Sequence, residues 1–408
     1  MRIVPILAVV AALAAFPAQR AAAQAAQTPE ALQQQVDELK ERVAKLEAAL
    51  AALQPAAQAP PAAPTTAAVP LPPSEPVNPI GAGAAAASSK VFNPDMAVIG
   101  NFLGVAGKNK VDPSKPFEMR ETEASFQAAV DPYARADFFL SFGESGVTLE
   151  EGFVTFTTLP GGLLVKAGKM RAAFGKVNTL HTHVLPWADR PLVTTNLVGG
   201  EDGISDAGVS VARLIPVPGV FLEATGQVFR GDSENVFASH RARDLSYVGH
   251  LRAYRDITEN ANIDAGVSYA RGQSSFVDDH STLVGFDATY RWKPLQRAIY
   301  HSFVARSEVI WNRAPHAVGP STGSGFYVSG DYQFARRWFA GARYDASDRA
   351  SDLALQDRGG SASLTFWPSE FSQVRGQYRR TVYAGDQTAN ELLFQLQFSI
   401  GAHGAHPF

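Results

Sequence analysis

Two histidines one residue apart, His181 and His183, lie in the stretch RAAFGKVNTLHTHVLPWADRPLVTTNLVGGEDGI (171–204). On an extended segment, side chains at i and i+2 point the same way, so two such imidazoles can share one metal ion. Spacing supplies no third ligand, and His403 and His406 stand far away in the chain. The expectation is polar loop residues and no metal site; were there one, His181 and His183 would begin it. Covalent chemistry has less support still. The chain has no nucleophile-elbow pattern, no metalloprotease helix motif and no phosphate-cradling glycine loop. No catalytic residue, enzymatic activity or cofactor is expected.

Charge at alternating positions is the chemistry that recurs. Glu121, Glu123, Asp137, Glu151 and Glu223 fall in the first half of the chain, and Arg252, Arg291, Arg306, Arg343, Arg375 and Arg379 in the second. All of them read as pore-lining. Segregated across a water-filled bore, they would set up a transverse field that orients dipolar solutes and selects ions. Asp264, Asp287, Glu308, Asp331 and Asp345 lie among the bases. Local pairing along the wall is therefore the competing arrangement.

Strands must position these residues. In NELLFQLQFSIG, Phe394, Leu396, Phe398 and Ile400 alternate with Gln395, Gln397 and Ser399. Period-two alternation marks a strand with two different faces. About sixteen such segments follow one another, the first near 96–104 and the last near 391–400. In 371–382, Val374, Gly376 and Tyr378 oppose Gln373, Arg375, Gln377 and Arg379. An arginine facing lipid at mid-membrane costs about 2–4 kcal/mol, and facing a wet lumen it costs little. Short connections (DP, LPGG, PVPG, TEN, KPLQ, ARR, WPSE) alternate with longer ones (GKNKVDPSKPFE, 171–204, RGDSENVFASHRA, 272–280, RAPHAVGPSTGSG, 346–358, YAGDQTAN). Short turns at one end and long loops at the other are the pattern of a transmembrane barrel. The fold expected for 91–408 is thus an all-β antiparallel barrel of about sixteen strands, with membrane lipid against its apolar outside.

The 171–204 connection is the longest, and it contains Leu180, Leu185 and Trp187, which a purely solvated loop would not carry. Long loops in compact domains are usually functional or disordered. The expectation is that this one folds into the lumen and narrows it, with Leu180, His181, His183, Trp187, Asp189 and Arg190 as the constricting residues. A lid on the outer rim is the alternative.

Upstream, residues 1–23 read as a secretory signal peptide, with an apolar run at 3–16 and the small residues AAA at 21–23. Residues 28–54 form a heptad run with Val36, Val43 and Leu50 at a positions and Leu32, Leu39, Leu46 and Leu53 at d positions. That seam predicts a self-associating coiled coil. Residues 55–90 are an Ala- and Pro-rich spacer. The 408 residues carry a formal net charge of −3 and no cysteine, which excludes disulfides and thiolate chemistry and gives no reason to expect a nucleic-acid partner.

The stretches LEEGFVTFTTLPGGLLVKAGKMRAAFG (149–175) and ISDAGVSVARLIPVPGVFLEATGQVFRGD (204–232) resemble the outer-membrane porin family that includes the phosphate-selective porins. The matching features are the acidic pair Glu150–Glu151, the Gly168–Lys169 step, Phe174–Gly175, and Asp206, Gly208 and Val209. The resemblance implies a trimeric barrel of sixteen strands in the outer membrane of a Gram-negative bacterium; an even strand count puts both barrel ends on the short-turn side, so the coiled coil just before the first strand is expected in the periplasm. Phe408 is similar to the terminal aromatic that the barrel-assembly machinery recognises, although GAHGAHP separates it from the last alternating run. The 171–204 connection also matches in position the constriction loop of general porins. Phosphate specificity is not implied, because it needs a dense Arg/Lys ladder and the polar faces here are mixed. The function expected is passive diffusion of small hydrophilic solutes or ions. Two other readings remain open: a tether whose coiled coil and spacer bind peptidoglycan with the barrel as anchor, and a metal-uptake porin using the loop histidines.

Overall fold

Each strand pairs antiparallel with the next, and the first pairs with the last, so the sheet has no edge. The computed structural model describes residues 94–401 except 144–145, 234–235, 276–278 and 317–318, and except the side chains of 316–321 and 353–354. The segments read as signal peptide, coiled coil and spacer, and the terminal Phe408, lie outside the described residues. The sixteen strands are β1 (Asp95–Lys108), β2 (Phe117–Asp131), β3 (Ala134–Gly143), β4 (Gly146–Leu159), β5 (Leu163–Arg171), β6 (Ser205–Val217), β7 (Val220–Phe229), β8 (Ser246–Thr258), β9 (Ala261–Gln273), β10 (His280–Trp292), β11 (Ser302–His316), β12 (Gly319–Ala335), β13 (Trp338–Arg349), β14 (Asp352–Ser369), β15 (Ser372–Tyr383) and β16 (Gln387–Gly401). One short helix, α1 (Leu192–Leu197), lies in the connection between β5 and β6. The barrel closes where β16 lies against β1, in register from Ala97↔Gly401 to Lys108↔Asn390.

Burial is inverted relative to a water-soluble protein. In β16, Leu392, Phe394, Leu396, Phe398 and Ile400 are exposed on the outside, while Glu391, Gln395, Gln397 and Ser399 are buried within. The same division holds in β10, where Phe286 and Tyr290 face out and Asp287 and Thr289 face in, and in β15, where Tyr378 faces out and Arg375 and Gln377 face in. Apolar area on the outside of a closed sheet is stable only against another apolar phase.

Several connections are shorter than the sequence suggests. RAPHAVGPSTGSG is mostly strand: β11 runs to His316 and β12 begins at Gly319. The 346–358 stretch is occupied by β13 to Arg349 and β14 from Asp352, and the YAGDQTAN turn narrows to 384–386. At the other end, the KPLQ connection is longer, spanning 293–301. The strands stay in register through these hairpins, but Pro, Gly, Ser and charged residues interrupt the apolar alternation that would announce them.

The main apolar cluster lies inside the barrel. Phe174, Val177, Leu185, Trp187, Val193 and Leu197 of the β5–β6 connection pack with inward-facing wall residues such as Phe153, Phe229, Leu283, Ile310 and Tyr327. Away from this cluster the buried face of the wall is mainly polar, with Ala97 and Ile99 of β1 among the exceptions.

Candidate functional site: the segment crossing the barrel interior

Residues 172–204 turn inward immediately after β5, and the motif residues quoted above are what turn them. Gly168 has φ +143°, and a Cβ there would stand 2.2 Å from Gly152 O and 2.6 Å from Phe153 Cα on β4. Only glycine permits that approach. Phe174 is fully buried, and Gly175, at φ +60°, donates its N–H to Ser268 Oγ of β9 at 2.8 Å. The backbone N–H groups of Lys176 and Val177 then both donate to one carboxylate oxygen of Glu308 on β11, and the Lys176 ammonium pairs with Asp264 on β9 at 2.9 Å. Asp206 of β6 braces the return side, accepting from Gly231 N at 2.9 Å and Asp232 N at 2.8 Å.

From there the segment reaches the far wall. Asp189 pairs with Arg343 of β13 at 2.9 Å and Arg379 of β15 at 3.1 Å. Ala188 N donates to Gln377 Oε1 at 2.9 Å, and Arg375 donates to Leu185 O at 3.2 Å. Trp187 lies edge-on to Tyr327 of β12, centroids 5.2 Å apart, with the Arg343 guanidinium 4.8 Å from its ring. Helix α1 is tied down by Leu192 N to Asp345 (3.1 Å), Asn196 to Asp357 (3.0 Å) and Asn312 to Leu197 O (2.9 Å). In a ring of sixteen strands, β13 stands eight from β5, diametrically opposite the strand the segment leaves.

Burial by itself pushes the Asp189 carboxyl up, but Arg343 and Arg379, with the Gln377 amide, hold it well below the usual carboxylate range. Burial draws the Arg190 guanidinium down to about 10, so it stays charged at neutral pH; it donates to Val177 O and Leu180 O, closing the segment on itself.

On the near wall, the two histidines meet the early acids. His181 Nε2 lies 2.6 Å from Glu151 Oε1, and its Nδ1 lies 2.7 Å from Glu123 Oε2 and 3.0 Å from Glu150 Oε2. His183 Nδ1 is 3.6 Å from Glu121 Oε2 and 3.8 Å from Glu123 Oε2. Burial favours the neutral ring at His181, but contacts with Glu123, Glu150 and Glu151 outweigh it and raise the pKa well above the ordinary value.

The sequence-derived candidates thus fall into groups. Glu121, Glu123 and Glu151 converge on His181 and His183. Trp187, Asp189 and Arg190 are buried, and Leu180 packs half-buried on the apolar cluster. The wall charges pair locally: Asp137 with Arg135 at 2.9 Å, Arg252 with Asp264 at 2.6 Å, Arg306 with Asp331 at 2.7 Å, and Arg379 with Glu391 at 2.6 Å. Arg291 lies 3.9 Å from Asp264, Arg375 bonds Gln395 and Thr365, and Glu223 stands opposite Arg252 in register.

Two residues that reach the segment escaped the sequence reading. Strict alternation places Arg120 and Glu150 on the outer face. The β1–β2 register shifts between Asn101 and Phe102, leaving Arg120 unpaired, and the β3–β4 register shifts between Phe139 and Leu140, leaving Glu150 unpaired. A bulge re-aims the extra side chain. Arg120 consequently reaches Ala188 O (2.6 Å) and Glu201 (2.9 Å), and Glu150 reaches Arg171 (2.9 Å). Neither bulge has a sequence signal, because no glycine marks it.

No family model matches the chain. A protein of Aquifex aeolicus (strain VF5), described as uncharacterised, is 30% identical over 390 residues, covering 79% of this chain and 81% of its own length. Among solved structures, the anion-selective porin of Comamonas acidovorans superposes with TM-score 0.54 at 9% identity, over 75% of this chain and 99% of that one. OmpT of Vibrio cholerae, in a trimer form, gives 0.53 at 10% identity over 75% and 99%. The outer-membrane channel DcaP of Acinetobacter baumannii gives 0.52 at 12% identity over 76% and 96%. The chain belongs to one family with the Aquifex aeolicus protein, and its fold is the closed sixteen-stranded barrel of the outer-membrane porins.

Proposed function

We propose that the protein is an outer-membrane channel through which small hydrophilic solutes or ions diffuse passively, with residues 171–204 narrowing the bore. The observation that carries this reading is the pairing of Asp189 with Arg343 and Arg379, which ties a segment leaving β5 to the opposite wall of a barrel that is apolar outside and polar within. A segment so placed has to share the cross-section with whatever passes. Locally paired wall charges favour a wet bore with weak net preference for either ion sign. No residue is assigned a catalytic role. The heptads at 28–54 support self-association of the chain, and the porin-like fold favours three copies.

Planar-bilayer recording of the purified protein tests the reading. Stepwise, ohmic single-channel conductance is expected, with a reversal potential close to zero in a salt gradient. Deleting 178–197 is expected to raise the conductance of each step. Absence of steps would remove the channel, and unchanged conductance after the deletion would remove the constriction.

A further inference from the structure

We propose that Glu121, Glu123, Glu150 and His181 hold one divalent first-row transition-metal ion, which pins the interior segment to the β2–β4 wall. One ligand atom from each of the four lies within 4.8 Å of the others. Ligands at about 2.0–2.2 Å from a common ion stand roughly 3.4 Å apart at tetrahedral angles and 4.2 Å apart when trans. Closing the widest pair, at up to 4.8 Å, therefore takes about 0.6 Å for trans ligands and about 1.4 Å for tetrahedral ones, shared between the two side chains.

Two independent observations point to a ligand. First, both carboxylate oxygens of Glu121 are buried and make no hydrogen bond, although the residue is only 4% exposed. His183 Nδ1 lies 3.6 Å from Oε2, an ion-pair separation beyond hydrogen-bond reach. A buried carboxylate without a hydrogen bond is costly unless a cation meets it. Second, the His181 ring is already oriented as in a carboxylate–histidine–metal arrangement. Its Nε2 lies 2.6 Å from Glu151 Oε1, and the other Glu151 oxygen accepts the backbone N–H of Arg171 at 3.0 Å. If Nε2 carries the proton, the Nδ1 lone pair points at Glu123 and Glu150, yet it makes no aligned hydrogen bond with either.

Charge agrees. With His181 neutral, as metal ligation requires, the four carboxylates of Glu121, Glu123, Glu150 and Glu151 outnumber the one guanidinium of Arg171, 2.9 Å from Glu150, by three charges. A dication lowers the excess to −1. Three carboxylate oxygens with one imidazole suit Zn²⁺ or Mn²⁺ better than Ca²⁺, which takes oxygen ligands throughout. The bulge at Glu150 brings that carboxylate in, and His181 arrives only when the segment lies against the wall, so metal and segment position are coupled.

A proton on His181 Nδ1 would occupy the same lone pair, so the test counts metal directly. The full chain, purified in detergent and stripped by chelation, is dialysed against ZnCl2 or MnCl2 at neutral pH, and bound metal is quantified. One equivalent per chain is expected. Glu121→Gln is expected to weaken binding at least tenfold while leaving all nine histidines in place, so ions held by other histidines cancel in the comparison. Glu151→Gln, which removes none of the four ligands but alters the group that orients the His181 ring, is expected to weaken it about 10–100-fold, and it serves if the first variant does not fold. A wild-type chain that retains no metal, or variants that bind as wild type does, would overturn the site. The measurement needs no conduction, so its outcome stands apart from the channel reading.

Discussion

At the scale of single residues, Asp189 is the clearest lever. Arg343 and Arg379 hold its carboxyl well below the usual range, so its folded pKa lies under the unfolded value of about 3.9. The stabilisation it provides is therefore complete above that value and is lost only as pH falls through the lower, folded one. The groups facing it, Arg343, Asp345, Arg379, Gln377 and Glu391, keep partners of their own: Arg343 retains Asp345 at 2.7 Å and Arg379 retains Glu391. Asp189→Asn should consequently loosen the segment by about 1–3 kcal/mol rather than the larger cost of stranding a buried charge. Hydrogen exchange over 172–204 should speed at least about fivefold in the variant, and the variant-to-wild-type ratio at pH 4 should stay within about twofold of its value at pH 7. A ratio that collapses to one at pH 4 would show that the carboxyl is not held low. Asp189 was legible in the sequence because it stands beside Trp187 in a long apolar-rich loop. Glu150 and Arg120 were not, since an alternating pattern assigns them outward and only the register shift in the neighbouring ladder brings them in.

At the scale of elements, the strands were legible and their ends were not. A face of Phe394, Leu396, Phe398 and Ile400 announces its strand, whereas the hairpin tips at 313–325 and 346–358 have no sustained apolar alternation to do so. The interior segment was legible in kind, through its aromatic and aliphatic content, but its path was not, because that depends on wall partners such as Glu308, Gln377 and Tyr327 that are distant in sequence. Trp187 is its apolar anchor, 2% exposed between Tyr327 and Arg343. Replacing such a side chain by alanine removes about 3–5 kcal/mol of packing. Trp187→Ala should therefore free the segment while the sixteen-strand ladder, which it does not join, stays closed. Trypsin should cut the variant after Lys176 and spare the wild type, with both keeping the heat-modifiable gel mobility of a folded barrel. Equal resistance would mean that the polar ties alone hold the segment.

At the scale of the whole molecule, everything rests on which phase bathes each side of the sheet. Phe394 sits at the middle of the 15-residue β16, 47% exposed and facing outward, across from Gly104 and Gly376 on the neighbouring strands. Its neighbours leave room for a longer side chain, so the cost of an arginine there reports the surroundings rather than a clash. In hydrocarbon, Phe394→Arg should lower folding stability in phosphatidylcholine vesicles by about 2–4 kcal/mol relative to the Phe side chain. Phe394→Ala controls for lost contact area. With lipid outside, the arginine variant must fall well below the alanine variant in urea titrations. With water outside, as in a soluble sandwich, arginine would match alanine or exceed it, because an exposed guanidinium is well hydrated. The sign of that difference depends on no loop, oligomer or solute. If the two variants unfold at the same urea concentration, the barrel's apolar girdle faces something other than acyl chains, and the channel loses its membrane.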